Sequence, residues 1–326
     1  MRAGLILYKG DKAYDISQLA ESITWKGRKG SAARSVSISL MDDNSNGRKR
    51  TGINVTDGNQ IIFSYDNKEL FRGIIMTQQR SNSRKMPITA YDNGIYLANN
   101  KDTFTYENKT AQYIFIDICK RFGLKYSSAA KTSYKIPELT KVQTTAYDAL
   151  LDALSQEYKA TGIRHYIASS KGLLSLVKRR ENMLEWSLDT SSNIISYSYK
   201  KSIEDIKTRV KIISHENKNV ASKKNTALEK KIGIFQDIDR QDDDKSEAKI
   251  KEQAGTILKE KGSPEISLEV NAVGIPNVIS GTGVYVSINE LGISGTYYVD
   301  EDTHTFKGGS HTMKLKLNKT DDQEGT

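Results

Sequence analysis

The chain has 326 residues, 37% apolar and 27% charged, with a formal net charge of +9. That length accommodates two or three domains, and that balance excludes a disordered chain. It also argues against a membrane-embedded one, since no apolar run approaches the roughly 20 residues a bilayer requires.

The single cysteine, Cys119, rules out an internal disulfide and a cysteine-based zinc site. Its neighbours Ile114, Phe115, Ile118 and Phe122 mark it as a buried structural thiol. Met1 to Ala20 has no long apolar stretch, because Asp11, Lys12 and Asp15 interrupt it. No signal peptide is therefore expected, and the protein is expected in the cytoplasm where it is made.

The first hundred residues read as strands. Val36, Ile38 and Leu40 alternate with Ser35, Ser37 and Ser39, a period of two with one buried face. Asp42 to Gly52 is polar and aperiodic, which predicts a loop. Ile61, Phe63 and Tyr65 alternate again, Asp66-Asn67-Lys68-Glu69 supplies a turn, and Leu70 to Met76 returns. Gly58 to Met76 is thus a predicted hairpin. Met86 to Tyr91 is a further short strand.

Near residue 104 the pattern changes. Thr110 can cap a helix that runs to Phe122 and stops at Gly123. A second helix starts near Thr144. Tyr147, Leu150, Leu151, Leu154 and Tyr158 share one of its faces, and Gly162 ends it. Ile163 to Ala168 and Leu173 to Lys178 are predicted strands about the turn at 169–172. Residues 104–185 therefore read as a small α+β unit between β-rich segments.

Strands resume at Trp186. Ile195, Tyr197 and Tyr199 alternate with Ser196 and Ser198, and Arg209 to Ile213 follows. Residues 214–230 are polar and predict an exposed loop. Residues 242–261 predict a helix, with Asp242, Asp243 and Asp244 at its positive end and Lys259 and Lys261 at its negative end. Strands at Ile266–Val270, Val284–Ile288, Thr296–Val299 and His304–Phe306 then lead through the turn 307–310 to Met313, Leu315 and Leu317. Trp25 and Trp186 are both expected in cores.

The chemistry-bearing motifs fail one by one. No phosphate loop and no nucleophile elbow occur, and Gly281-Thr282-Gly283 lies between strands. Taking 307–310 as the turn, Phe306 faces His311 and His304 faces Met313, which leaves the two histidines diagonal on one face and without a third metal ligand. They read as turn-flanking polar positions. Counted from Asp237, an EF-hand needs Gly at position 6 and Glu at position 12; Asp242 and Ala248 stand there instead, and the cluster Asp237, Asp239, Asp242, Asp243 and Asp244 reads as charge at a helix start. No carboxylate pair is singled out for glycoside hydrolysis. Basic clusters at 26–29, 48–50, 178–180, 200–201, 223–224 and 230–231 lack interleaved aromatics, so no specific nucleic-acid recognition is expected. No catalytic, cofactor-binding or metal-binding residue, no cofactor and no membrane partner is predicted.

An ordered series of residues resembles one family. Trp25-Lys26-Gly27, Ala33-Arg34 and the Val36/Ile38/Leu40 strand are similar to the opening of phage baseplate hub proteins of the PBSX-prophage type. These are related to late control protein D and to the N-terminal hub of VgrG. Gly58, Ile62 and Phe63, then Leu70-Phe71-Arg72-Gly73-Ile74, resemble the first-domain hairpin of that family, and Tyr91-Asp92, Tyr96-Leu97 and Asn100 continue it. Thr110-Ala111, Ile114, Ile118 and Phe122-Gly123-Leu124 resemble the helix that opens its inserted domain. Gly295 to Val299, His304, Gly309, His311-Thr312-Met313 and Leu315 resemble its closing hairpin.

The resemblance implies a mainly β fold with an α+β insert: two tail-tube-like antiparallel β-barrel domains at 1–103 and 186–326, the second holding helix 242–261, and a small α+β domain at 104–185. It further implies a structural baseplate hub of a contractile phage tail or tailocin, built into the particle. The hub would be a homotrimer whose six barrels join a sixfold tail tube to a threefold spike around a central channel. Implied partners are the tail tube protein, the spike protein and other baseplate proteins, with a LysM-type tail protein and the tape measure as candidates. Strand edges would pair between subunits. Lys26, Gly27, Arg28 and Lys29 form a candidate inter-subunit contact loop. The alternatives are a tail-associated peptidoglycan hydrolase and a basic nucleic-acid-binding module.

Overall fold

Period-two alternation produces the strands of the N-terminal part, and the buried member of each pair points to one core. The computed structural model describes residues 3–41, 55–80, 85–179, 183–213, 219–240 and 247–319. The predicted loop at 42–52 lies outside them. Strands β1 (Ala3–Lys9), β2 (Lys12–Asp15), β3 (Ala20–Arg28), β4 (Ser35–Met41), β5 (Gln60–Tyr65), β6 (Lys68–Gln78) and β7 (Lys85–Asp92) enclose a core that includes Leu5, Trp25, Ile38, Phe63 and Ile88. The β5–β6 turn is made by Asp66 and Asn67, both at positive φ (48° and 61°), as a two-residue hairpin turn requires.

Helix α1 (Ile95–Asn99) leads into the α+β segment. Strand β8 (Lys101–Lys109) pairs antiparallel with β10 (Ile136–Thr145), and β9 (Tyr126–Ala129), β11 (His165–Ser170) and β12 (Leu173–Lys178) form a second small sheet. Helices α2 (Ala111–Arg121) and α3 (Ala146–Thr161) start where the Thr110 and Thr145 side chains accept the N–H groups of Tyr113 and Asp148. Gly162, at φ +70°, closes α3. The segment has its own core, including Phe104, Phe115, Cys119, Leu150 and Leu174. Burial raises the Cys119 thiol to a pKa of about 11, so it is an inert core group. Strands β8 and β10 are not apparent in the sequence, because each buries only two side chains among mostly polar ones.

The C-terminal part holds β13 (Met183–Asp189), β14 (Ile194–Ser202), β15 (Arg209–Ile213), β16 (Asn219–Lys224), helix α4 (Thr226–Ile232), β17 (Gln236–Arg240), helix α5 (Glu247–Lys261), β18 (Glu265–Val273), β19 (Gly283–Ile288), β20 (Ile293–Lys307) and β21 (Ser310–Asn318). The chain divides into two compact units, 1–197 with 269–326, and 198–268. In the second unit β15 lies between β16 and β17. There Ile212 and Ala221 pack with Ile250 and Ala254 of α5.

Three expectations need correction in this region. Of the predicted loop at 214–230, residues 219–224 are strand β16 and residues 226–230 lie in helix α4, which the Asn225 side chain caps by accepting the Leu228 N–H at 3.1 Å. Asp237 and Asp239 belong to strand β17 rather than to a helix start, and Asp237 pairs with Lys261 Nζ at 2.6 Å. The two predicted strands 296–299 and 304–306 are one 15-residue strand, β20, kinked by a bulge between Val299 and Glu301. Helix α5 is described from Glu247, so positions 242–246 of the predicted helix lie outside the described residues.

The two β regions share a strand order. The first runs β3-β4-β7-β6-β5-β1 and the second runs β14-β18-β21-β20-β19-β13. Matched in chain order, each strand of the first has a counterpart in the same place of the second. The exception is polarity at the last position. There β1 is antiparallel to β5, whereas β13 is parallel to β19. The fold is mainly β with an α+β insert, and each of these two strand sets stands in the place of one barrel of the implied architecture.

Candidate functional site: a strand joint and its polar lock

The long strand β20 serves both barrels. Its N-terminal half, Ile293–Tyr298, pairs with β19. Beyond the bulge its C-terminal half pairs with β3, from Glu301 opposite Arg28 to Lys307 opposite Ser22. One continuous sheet of 13 strands therefore passes from one barrel into the other. The joint is a strand-edge contact of the kind that normally invites pairing between chains, here satisfied within one chain.

A buried polar cluster fixes this joint. Arg34 donates from Nη1 to Asp302 Oδ1 at 2.9 Å and also from Nη2 to Oδ2, a two-pronged ion pair whose carboxylate is wholly buried. The same guanidinium stacks 4.3 Å above the Trp25 ring, and Ser280 N donates to Asp302 Oδ1 at 2.6 Å. Arg179 Nη2 meets Asp300 Oδ1 at 3.2 Å beside the bulge. Asp92 accepts the N–H groups of Gly94 and Arg34 at 2.9 and 3.2 Å, which ties the β3–β4 connection to the end of β7. Burial raises its pKa to about 7 despite those donors and the nearby Arg34 charge. Gly94 sits so close to the Ala32 carbonyl that any Cβ would collide with it.

Histidines 304 and 311 complete the cluster. Their register is the one read from the sequence, with His304 opposite Met313 and Phe306 opposite His311. Their setting adds what that reading lacks: both polar rings flank the turn but are buried. His304 Nε2 lies 2.9 Å from the Val278 carbonyl, which can only accept, so Nε2 carries the proton. Neutral His304 then presents Nδ1 as an acceptor, and His311 Nε2 donates to it at 3.0 Å. Burial lowers both pKa values to about 4, which keeps both rings neutral near pH 7. His311 stacks on Phe306 with ring centres 4.0 Å apart. Sequence alone could not find this pair, because its burial comes from β3 and the 275–282 turn rather than from its own hairpin.

The candidate contact residues lie at this joint. Lys26, Gly27 and Arg28 are the end of strand β3 rather than a loop, and their backbone is paired with β20. Pairing with β20 carries the strand as far as Arg28, opposite Glu301. The side chains of Lys26 and Arg28 remain exposed, and Lys29 N donates to the Asp300 carbonyl at 2.7 Å. The tryptophans separate: Trp25 is 4% exposed and Trp186 is 48% exposed, which overturns a core role for the second. Trp186 is the middle residue of β13, which among the described residues has a strand neighbour on one edge only.

Among the described residues no group of three or more His, Cys, Asp or Glu side chains could hold a metal ion. A shallow pocket beside the Gly308-Gly309 turn is lined by a single carboxylate, Glu21, where glycoside hydrolysis needs two.

Comparison with known proteins places the chain. A family model described as YQBQ-like matches residues 23–318. The chain is 35% identical over 303 residues to the phage-like element PBSX protein XkdQ of Bacillus subtilis (strain 168), covering 92% of each. Among solved structures, the 43 kDa tail protein of prophage MuSo2 from Shewanella oneidensis superposes with a TM-score of 0.73 at 13% identity, covering 97% of both chains. The tail protein from Neisseria meningitidis MC58 gives a TM-score of 0.72 at 13% identity, covering 97% of this chain and 96% of that one. Those likenesses are of fold.

Proposed function

This chain belongs to the YQBQ-like family and has the fold of phage tail proteins, and from that standing we propose that it is the baseplate hub subunit of a contractile phage tail or tailocin. Three copies form a ring. Their six barrels match a sixfold tail tube on one side and a threefold spike on the other, around a central channel. The subunit acts by assembly and carries no catalysis. It is made in the bacterial cytoplasm and built into the particle. Its domains are 1–103, 104–185 and 186–326. Its partners are further copies of itself, the tube protein, the spike protein and neighbouring baseplate proteins. The side chains of Lys26, Arg28 and Lys29, at the outer end of β3, contact a neighbouring ring or the spike.

The observation that supports this reading is the shared strand order of the two barrels together with the edge-to-edge joint of β3 and β20. A chain that already links two similar barrels through strand edges needs only to repeat the link to make a ring. The test is the solution mass of the purified chain, alone and mixed with its spike protein. A threefold species is expected. A monomer in both samples overturns the reading.

A further inference from the structure

The two barrels agree in more than strand order. Gly58 N donates to the Ile75 carbonyl and Ile75 N to the Asn59 carbonyl. In the second barrel Gly281 N donates to the Val299 carbonyl and Val299 N to the Thr282 carbonyl. Gly58 and Gly281 both take positive φ, 78° and 92°. From this anchor β6 and β20 align residue by residue. Ile75 matches Val299, and each is followed by a bulge, at Met76 in β6 and at Asp300 in β20. The residues after the bulge, from Thr77 and from Glu301, are therefore counterparts.

Those counterparts differ in one respect. The outer edge of β20 after its bulge is filled by β3. The outer edge of β6 after its bulge has no strand partner among the described residues, and Met76, Thr77 and Gln78 are exposed there. The plug side shows the same asymmetry. Strand β3 has β4 on one edge and β20 on the other, whereas its counterpart β14 has, among the described residues, only β18. Ile195 of β14 is 62% exposed, and most of the strand is exposed on both faces, while Ile23 and Trp25 of β3 are buried. The first barrel thus holds the used plug, β3, and an open socket at β6, and the second holds the filled socket, β20, and an open plug, β14.

We propose that the free edge of β14 in one copy of this chain pairs antiparallel with the post-bulge end of β6, Thr77 and Gln78, and the two residues that follow it, in the next copy, repeating the β3–β20 joint between chains. This rests on the assembly reading above and names its contact. Plug and socket are different surfaces, so the contact is head-to-tail, as a closed ring requires.

The experiment uses the whole chain with paired cysteines. Gln78→Cys is combined in turn with Lys200→Cys, Lys201→Cys and Ser202→Cys, and the native Cys119 stays in place because it is fully buried. Residues directly opposite in an antiparallel pair have Cα atoms about 4.5–5.5 Å apart, within reach of a disulfide. Under mild oxidation at a concentration where the threefold species forms, at least one double variant is expected to give covalent dimers and trimers on a non-reducing gel, and each single variant to give none. A threefold mass with no double variant linking beyond its parent single variants overturns this contact and leaves the hub reading standing. Linking by a single variant also overturns it, since that needs two identical surfaces face to face. A chain that stays monomeric at every concentration, and does not link, overturns both.

Discussion

Strands β3 and β14 occupy the same place in their two barrels and meet different fates. Strand β3 sits between β4 and β20, with Ile23 and Trp25 buried and Arg34 locking it to Asp302. Strand β14 has, among the described residues, β18 on one side only and shows most of its side chains to water. The lesson is that burial here follows from a partner strand rather than from composition. Both strands alternate aromatic or branched residues with small polar ones, yet only the partnered strand has a dry face.

That contrast can be broken most forcefully at the tryptophans. Trp25→Ala should cost about 3–5 kcal/mol of chain stability in denaturant unfolding, the ordinary loss for a buried large aromatic. Trp186→Ala should change it by less than about 0.5 kcal/mol. If both variants unfolded alike, exposure in the single chain would say nothing about its energetics.

The lock comes next. Arg34→Met leaves the Asp302 carboxylate buried and without its ion-pair partner, and should cost about 3–5 kcal/mol. Adding Asp302→Leu should recover a large part of that loss, because the stranded charge is then gone. A double variant as weak as the sum of the singles would mean that the ion pair is not what couples the barrels.

Acid sharpens the comparison more gently, because its three titrating groups all belong to the β3 side. His304 and His311 fall from the usual pKa near 6.5 to about 4 in the fold. The unfolded chain therefore binds two more protons than the fold between those values, and stability should drop as pH falls from about 6.5 to about 4. Asp92 works the other way. Its pKa of about 7 in the fold against about 3.9 unfolded means that its protonation favours the fold as pH falls through 7. The net difference is one proton, a slope of about 1.4 kcal/mol per pH unit. His311→Gln keeps a donor for His304 and removes one titration, so its stability should be nearly flat with pH across that window. A variant as acid-sensitive as the parent would contradict the burial of this pair as the cause.

Much of the fold was legible from local signals. The β5–β6 hairpin, the caps at Thr110 and Gly162, and the register of His304 with Met313 depend on neighbouring residues, which the sequence displays directly. What it concealed depends on distant chain. The joint of β3 with β20 brings residue 25 against residue 304, and no local pattern announces that pairing. Lys26, Gly27 and Arg28 read as a loop because charged residues around a glycine resemble one, whereas the backbone there is held as strand by β20. Helix α4 was lost among lysines and asparagines, with Asn225 the one signal that could have found it.

The central claim is that β14 completes a sheet with another copy, as β3 does within its own. Hydrogen exchange measured on peptides covering 20–28 and 194–202, in concentrated and in diluted protein, tests it most directly. The account predicts protected amides in both segments when the protein is concentrated, and loss of protection in 194–202 alone on dilution. Amides of 194–202 that exchange equally fast at both concentrations, while the threefold species is present in the first, would contradict it.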